Sequence, residues 1–188
     1  ERMSPEEVTL ADVFKKAGYV TGCFGKWHNG TQRPYHPLAR GFDTFYGFTE
    51  GHWGDYFNPP MQRDTTFQEG EGYITDDITT KAIEFFDNQV SQSVAKPVLC
   101  YVAYNTPHSP MCVPDADWSR YAERPLRQQG PDPKKEDPVF TRAALAMVEN
   151  LDHNVGRMLA AIDSADTSRE TIVVFFSDNG PNSLRWCG

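Results

Sequence analysis

The sequence predicts an α/β layered fold with a largely parallel central sheet flanked by helices, and three observations carry that expectation. Segments of helical and strand period alternate in the order helix, strand, loop, helix, strand, loop, helix, strand. The strand candidates are short, nearly continuous apolar runs, the pattern of strands covered on both faces. Each run ends in a polar cluster, and ligands of open parallel sheets sit beyond the carboxyl ends of the strands.

Thr9 is placed to cap a first helix in which Leu10, Val13, Phe14 and Ala17 share one face, with Gly18 as its stop. A strand over 19–24 follows and breaks at Gly25. Residues 29–73 are dense in glycine, proline and aromatics, which predicts long ordered loops that pack rather than float. Thr75 opens a second helix with Ile78, Ala82, Ile83 and Phe86 on one stripe, and a strand over 98–104 follows Pro97. After a polar, proline-rich insert at 105–138, a long helix is expected over 140–162. A buried strand at 171–176 then runs into Ser177-Asp178-Asn179-Gly180.

At 188 residues the chain suffices for one good core and predicts one domain. Its 39% hydrophobic and 13% aromatic content belongs to a packed protein rather than a disordered one. A formal charge of −8 with no basic stripe excludes a general nucleic-acid binder, and no apolar run is long enough to span a membrane. Cys23, Cys100, Cys112 and Cys187 are scattered without metal-ligand spacing and read as free thiols. The chain opens on Glu1-Arg2-Met3 and closes on Arg185-Trp186-Cys187-Gly188 with no terminating element, so a piece cut at both ends is expected.

The polar strand ends hold the chemistry. The first offers Lys26 and His28, the second Asn105-Thr106-Pro107-His108, the third Asp178 and Asn179. If the three strands are parallel neighbours, these groups face one crevice. Asp178 and Asn179 are hard oxygen donors suited to calcium or magnesium. The two histidines suit either zinc or general acid–base work. A cation, a lysine and imidazoles together suit a tetrahedral oxyanion, which points to hydrolysis of a sulfate or phosphate ester. His153, beside Asp152 on the long helix, reads as structural, while His36 and His52 lie in loops. Trp53, Tyr56, Trp118, Arg120 and Arg124 are placed to stack on or pair with a substrate.

The string Gly18-Tyr19-Val20-Thr21 followed by Gly25-Lys26-Trp27-His28 resembles a signature of the sulfatase family. The likeness continues through Arg40-Gly41-Phe42-Asp43-Thr44-Phe45-Tyr46-Gly47, Gly72-Tyr73-Ile74-Thr75-Asp76-Asp77, Asn105-Thr106-Pro107-His108-Ser109-Pro110, the helix with Asn150 and Gly156, and Phe176-Ser177-Asp178-Asn179-Gly180. This resemblance implies an alkaline-phosphatase-like fold and cleavage of sulfate monoesters at one calcium ion. By position, Lys26 would bind the sulfate and the aldehyde-derived nucleophile, and His28 would contact that nucleophile and help break down its sulfated intermediate. His108 would bind sulfate and assist protonation of the leaving group, and Asp178 and Asn179 would ligate Ca2+.

Three family features have no counterpart here: the Cys-x-Pro-Ser-Arg-like motif that yields formylglycine, a pair of N-terminal aspartates, and a sulfate-binding lysine beyond the Asp-Asn pair. Cys112-Val113-Pro114 continues Asp115-Ala116 and does not supply the motif. The expectation is thus part of a sulfatase catalytic domain over residues 1–188, inactive alone. Its parent would act on a sulfated small molecule or carbohydrate, in the periplasm, outside the cell or in lysosomes. A formylglycine-generating or anaerobic maturation enzyme would be its partner. The alternatives are a phosphodiesterase or phosphonate hydrolase of the same superfamily, or a non-catalytic module.

Overall fold

The computed structural model describes residues 2–51, 53–92, 96–126, 132, 134–165 and 170–180. They fall into two compact units, Glu1–Asn105 with Asn154–Asp166, and Thr106–His153 with Thr167–Gly188.

The first unit is built on β1 (Val20–Lys26), whose Cys23 and Phe24 are fully buried. It pairs in parallel with β2 (Thr44–Phe48) on one side and with β5 (Val98–Ala103) on the other. Beyond β2, the sheet continues through β3 (Pro60–Arg63) and β4 (Thr66–Glu69), both antiparallel, to give the order β4-β3-β2-β1-β5. The parallel centre is as expected. Reading 29–73 as loops is not: that stretch contains β2, β3, β4 and a 3₁₀ turn at Pro37–Ala39. Its strands are short and show little period of their own: β2 is completed by β1 and β3, distant in sequence, and β3 and β4 form a local hairpin of four-residue strands.

Successive residues of β1 face opposite layers. On one side Cys23 packs with Ala11, Trp27, Phe42 and Phe45. On the other, the Phe24 ring meets Phe85 of α2 (Ile74–Val90) at 5.3 Å. The short helix α1 (Leu10–Lys16) has Thr9 at its N-cap, reciprocally bonded with Asp12 as a capping box. The face shared by Leu10 and Val13 is not the buried one, however. Leu10 and Val13 are 63% and 53% exposed, and the buried residue is Ala11. Gly41, at φ +92, comes so near that a Cβ there would overlap Ala11 and Asp12, an approach only small residues allow.

The Arg40-Gly41-Phe42-Asp43 motif closes this layer. Arg40 is 4% exposed and donates to the carbonyls of Ser4, Pro5 and Glu7. Asp43 accepts from the backbone N–H and hydroxyl of Thr21 and pairs with Lys15 at 2.6 Å. Burial pushes the Asp43 carboxyl up, but these partners outweigh it and hold the group below its ordinary value.

The fourth helix, α4, begins at Pro138 and ends at Ser164, close to the expected span. Asp137 precedes it and accepts from Phe140 N–H, and Pro138 occupies the first turn, where its missing donor costs nothing. Within the first unit, Asn154 donates to Asp76 Oδ1 at 2.6 Å, and Arg157 donates to Asn154 Oδ1 and to Thr80 Oγ1, both at 2.8 Å. These bonds join α4 to α2. The Thr79 hydroxyl and Tyr104 hydroxyl meet at 2.7 Å beside them.

In the second unit, the single-turn α3 (Asp115–Trp118) meets the first half of α4: Asn150 donates to Asp117 and Arg120 pairs with Asp117 and Glu149. The buried strand expected at 171–176 is corrected. Residues 171–177 form no strand, and Ile172, Val173, Val174, Phe175 and Phe176 are 53–89% exposed. An apolar run becomes a strand only against a ladder partner, and none pairs with it among the described residues. No described helix is long and apolar enough to cross a membrane.

Candidate functional site

Lys26 is the last residue of β1, at the carboxyl end of the parallel strands. Two glycines bring those ends together. A Cβ on Gly25 (φ +100) would overlap the Ala103 carbonyl, and one on Gly47 would overlap the backbone of Gly25. Trp27 then anchors the chain: its N–H donates to Phe48 O at 3.0 Å, its Nε1 to Tyr35 O at 2.8 Å, and its ring meets Phe42 edge-on. Lys26 and His28, on either side of that buried anchor, stay half-buried. The Lys26 ammonium makes no ion pair among the described residues. His28 has φ +54, a left-handed conformation that a residue with a Cβ adopts only when its surroundings hold it there.

His108 lies in the second unit and is exposed. Its Nδ1 is 2.8 Å from Ser109 O. A carbonyl only accepts, so Nδ1 carries the hydrogen and, in the neutral ring, Nε2 is the basic nitrogen.

Asp178 and Asn179 also belong to the second unit and are exposed. Asp178 Oδ1 accepts from Asn179 N–H at 2.8 Å, Asn179 Nδ2 donates to Gly180 O at 3.0 Å, and Ser177 Oγ donates to Asn179 O at 2.6 Å. By donor type this pair fits calcium. By number it does not, because two residues cannot fill the six to eight oxygen positions of Ca2+, and no cluster of three His, Cys, Asp or Glu occurs among the described residues.

Lys26 and His28 thus share one unit, while His108, Asp178 and Asn179 share the other. Among the expected substrate-facing groups, Tyr56 is corrected: it is 2% exposed and stacks on Tyr73 at 6.0 Å, so it is core. Trp53 stacks on Phe48 at 5.1 Å, and Arg124 lies over the Tyr121 ring. His52 and Cys187 lie outside the described residues. Cys23 and Cys100 are free thiols, and burial pushes both up, Cys100 to about 12, which keeps them from acting as nucleophiles.

One residue acquires significance only from its burial. Asn105, just past β5, is 7% exposed, yet neither its amide nitrogen nor its amide oxygen makes a hydrogen bond among the described residues. Its sequence signals are its place in the polar cluster after the strand and in the string Asn105-Thr106-Pro107-His108-Ser109-Pro110.

Several known proteins are similar to this chain. N-acetylgalactosamine-6-sulfatase of Canis lupus familiaris is 29% identical over 192 residues, covering 93% of this chain and 33% of that protein. The chain therefore spans about a third of the length of the curated relative it matches. The crystal structure of Ps i-CgsB in complex with k-i-k-neocarrahexaose superposes with a TM-score of 0.74 at 24% identity, over 88% of this chain and 38% of that one. The structure of BT4656 in complex with its substrate D-glucosamine-2-N,6-O-disulfate gives 0.71 at 18% identity, over 88% of this chain and 48% of that one. These likenesses show the fold, that of an open α/β sheet layered between helices, as expected of the alkaline-phosphatase-like class. With the Sulfatase family model matching residues 2–185 and the Lys26–His28 signature at the end of its central parallel strand, the chain belongs to the sulfatase family.

Proposed function

We propose that the protein to which this chain belongs is a sulfuric ester hydrolase and that Lys26, His28, His108, Asp178 and Asn179 serve its reaction. The supporting observation is the end of β1, where a half-buried lysine without an ion pair among the described residues precedes a histidine held at φ +54. In this reading the Lys26 ammonium offsets charge on a sulfate oxygen, more strongly half-buried than in open water. His28 attends the nucleophile, which other parts of the protein supply. His108, protonated at Nε2 while Ser109 O holds the Nδ1 hydrogen, gives that proton to the departing oxygen. Calcium would add positive charge at the sulfate, with Asp178 and Asn179 among its oxygen ligands. The substrate class we favour is a sulfated carbohydrate, the kind of molecule named for N-acetylgalactosamine-6-sulfatase and for BT4656. A location outside the cytoplasm and a maturation enzyme that makes formylglycine belong to the same proposal.

The test is turnover of nitrophenyl sulfate against nitrophenyl phosphate by the full-length protein. Faster sulfate cleavage, lost on chelation of calcium, is expected, and Lys26→Ala should lower kcat/KM about 10²–10³-fold with folding intact. Faster phosphate cleavage would overturn the reading in favour of a phosphoester hydrolase.

A further inference from the structure

His28 has a neighbour whose contribution is the side chain it lacks. A Cβ built on Gly51 would overlap Nε2, Cδ2 and Cε1 of His28, so the edge of the imidazole occupies the volume that any other residue at 51 would fill. Both residues belong to the first unit. The crowding differs in kind from that at Gly25 and Gly47, where a Cβ meets backbone that cannot yield. At Gly51 it meets the far end of a side chain with two rotatable bonds. A methyl there costs the fold little, because the imidazole can turn away, yet turning away moves its ring nitrogens. The backbone of His28 is already held at φ +54, which leaves the two side-chain torsions as the freedom by which the ring finds its place.

We propose that Gly51 is a positioning residue for His28, its missing side chain forming the seat that fixes the imidazole beside the end of β1. The inference rests on the reading of His28 as a group of the sulfate-ester site. A reacting group must be held within a fraction of an ångström, and misplacement by about 1 Å costs on the order of 10²-fold in rate.

The experiment compares the full-length protein with its Gly51→Ala, His28→Ala and doubly substituted forms. It reads the imidazole Cε1–H resonance of His28 (assigned by its loss in His28→Ala), kcat and KM for nitrophenyl sulfate, and the thermal midpoint. Gly51→Ala should move the His28 resonance and lower kcat about 10- to 100-fold, with KM and the midpoint nearly unchanged. In the His28→Ala background the vacated ring volume admits the methyl, so the second substitution should cost nothing more. A resonance that stays in place overturns the proposal, as does a rate loss that persists undiminished in the double variant. Unfolding of Gly51→Ala also overturns it, since the methyl would then meet more than the imidazole. If the unsubstituted protein does not cleave sulfate, the sulfatase reading fails by itself, and the resonance still decides the seat: movement supports it, and no movement overturns it.

Discussion

The phenol of Tyr46 donates to Asp77 Oδ2 over 2.5 Å, joining β2 to α2 inside the first unit. Asp77 is 3% exposed, and the same oxygen also accepts from Glu71 N–H at 3.2 Å, while Oδ1 makes no hydrogen bond among the described residues. Removing one partner of a buried carboxylate costs more than the bond's net worth, because the remaining charge is left under-satisfied. Tyr46→Phe should therefore lose about 1–3 kcal/mol of stability in urea unfolding. An unchanged midpoint would show that Glu71 alone suffices.

Asp77 and Asp43 should shape the acid limb of stability in opposite directions. Burial raises the Asp77 carboxyl, with the Tyr46 hydroxyl and the Glu71 backbone N–H opposing it, so its ionised form costs stability that is recovered as the pH falls through the folded value. For Asp43, whose folded value is lowered, the contribution is present above its ordinary value of 3.8 and lost as the pH falls through the folded one. Urea midpoints followed into acid should fall less steeply in Asp43→Asn than in the unsubstituted chain, and more steeply in Asp77→Asn. The reverse order would mean that the two environments have been misread.

Gly25→Ala should be among the most damaging single substitutions in the sheet. It forces a Cβ onto the Ala103 carbonyl at φ +100, between paired strands with no room to part. A loss above about 3 kcal/mol is expected. Gly18, at φ +89 with nothing near its missing Cβ, serves as the control: alanine there meets only backbone strain of about 1–2 kcal/mol. Comparable thermal midpoints for the two variants would contradict this account.

The run at 171–176 presents Ile172, Val173, Val174, Phe175 and Phe176 to solvent with no ladder among the described residues. High β-propensity without a partner is an aggregation hazard. The 188-residue chain should bind hydrophobic dyes and self-associate, and Val174→Lys with Phe176→Lys should reduce both. A monodisperse, cooperatively unfolding sample of the unsubstituted chain would refute this.

Much of the fold was legible locally. The Thr9 cap, the apolar runs of β1 and β5, and the periodicity of α2 and α4 each lie within one segment, where propensity and pattern speak for themselves. Strand β2 and the hairpin β3–β4 were not: β2 takes partners distant in sequence, and the four-residue strands of the hairpin, though paired locally, are too short and polar to show a strand period. Nor could pattern tell that Tyr56 is core or that α1 buries Ala11 rather than Leu10 and Val13.

For the site, the sequence by itself determined which reactive groups stand at the end of β1: Lys26 and His28 flank Trp27 whatever the packing. Only the tertiary structure decided how they are held, through Trp27 bonded to Phe48 and Tyr35, His28 at φ +54, and Gly51 against the imidazole edge. It also decided that the apolar run at 171–176 is not a strand among the described residues. The reason is physical. A residue's chemistry and local period are written in the chain, whereas its pairing, its burial and the space around its side chain are set by segments far away in sequence.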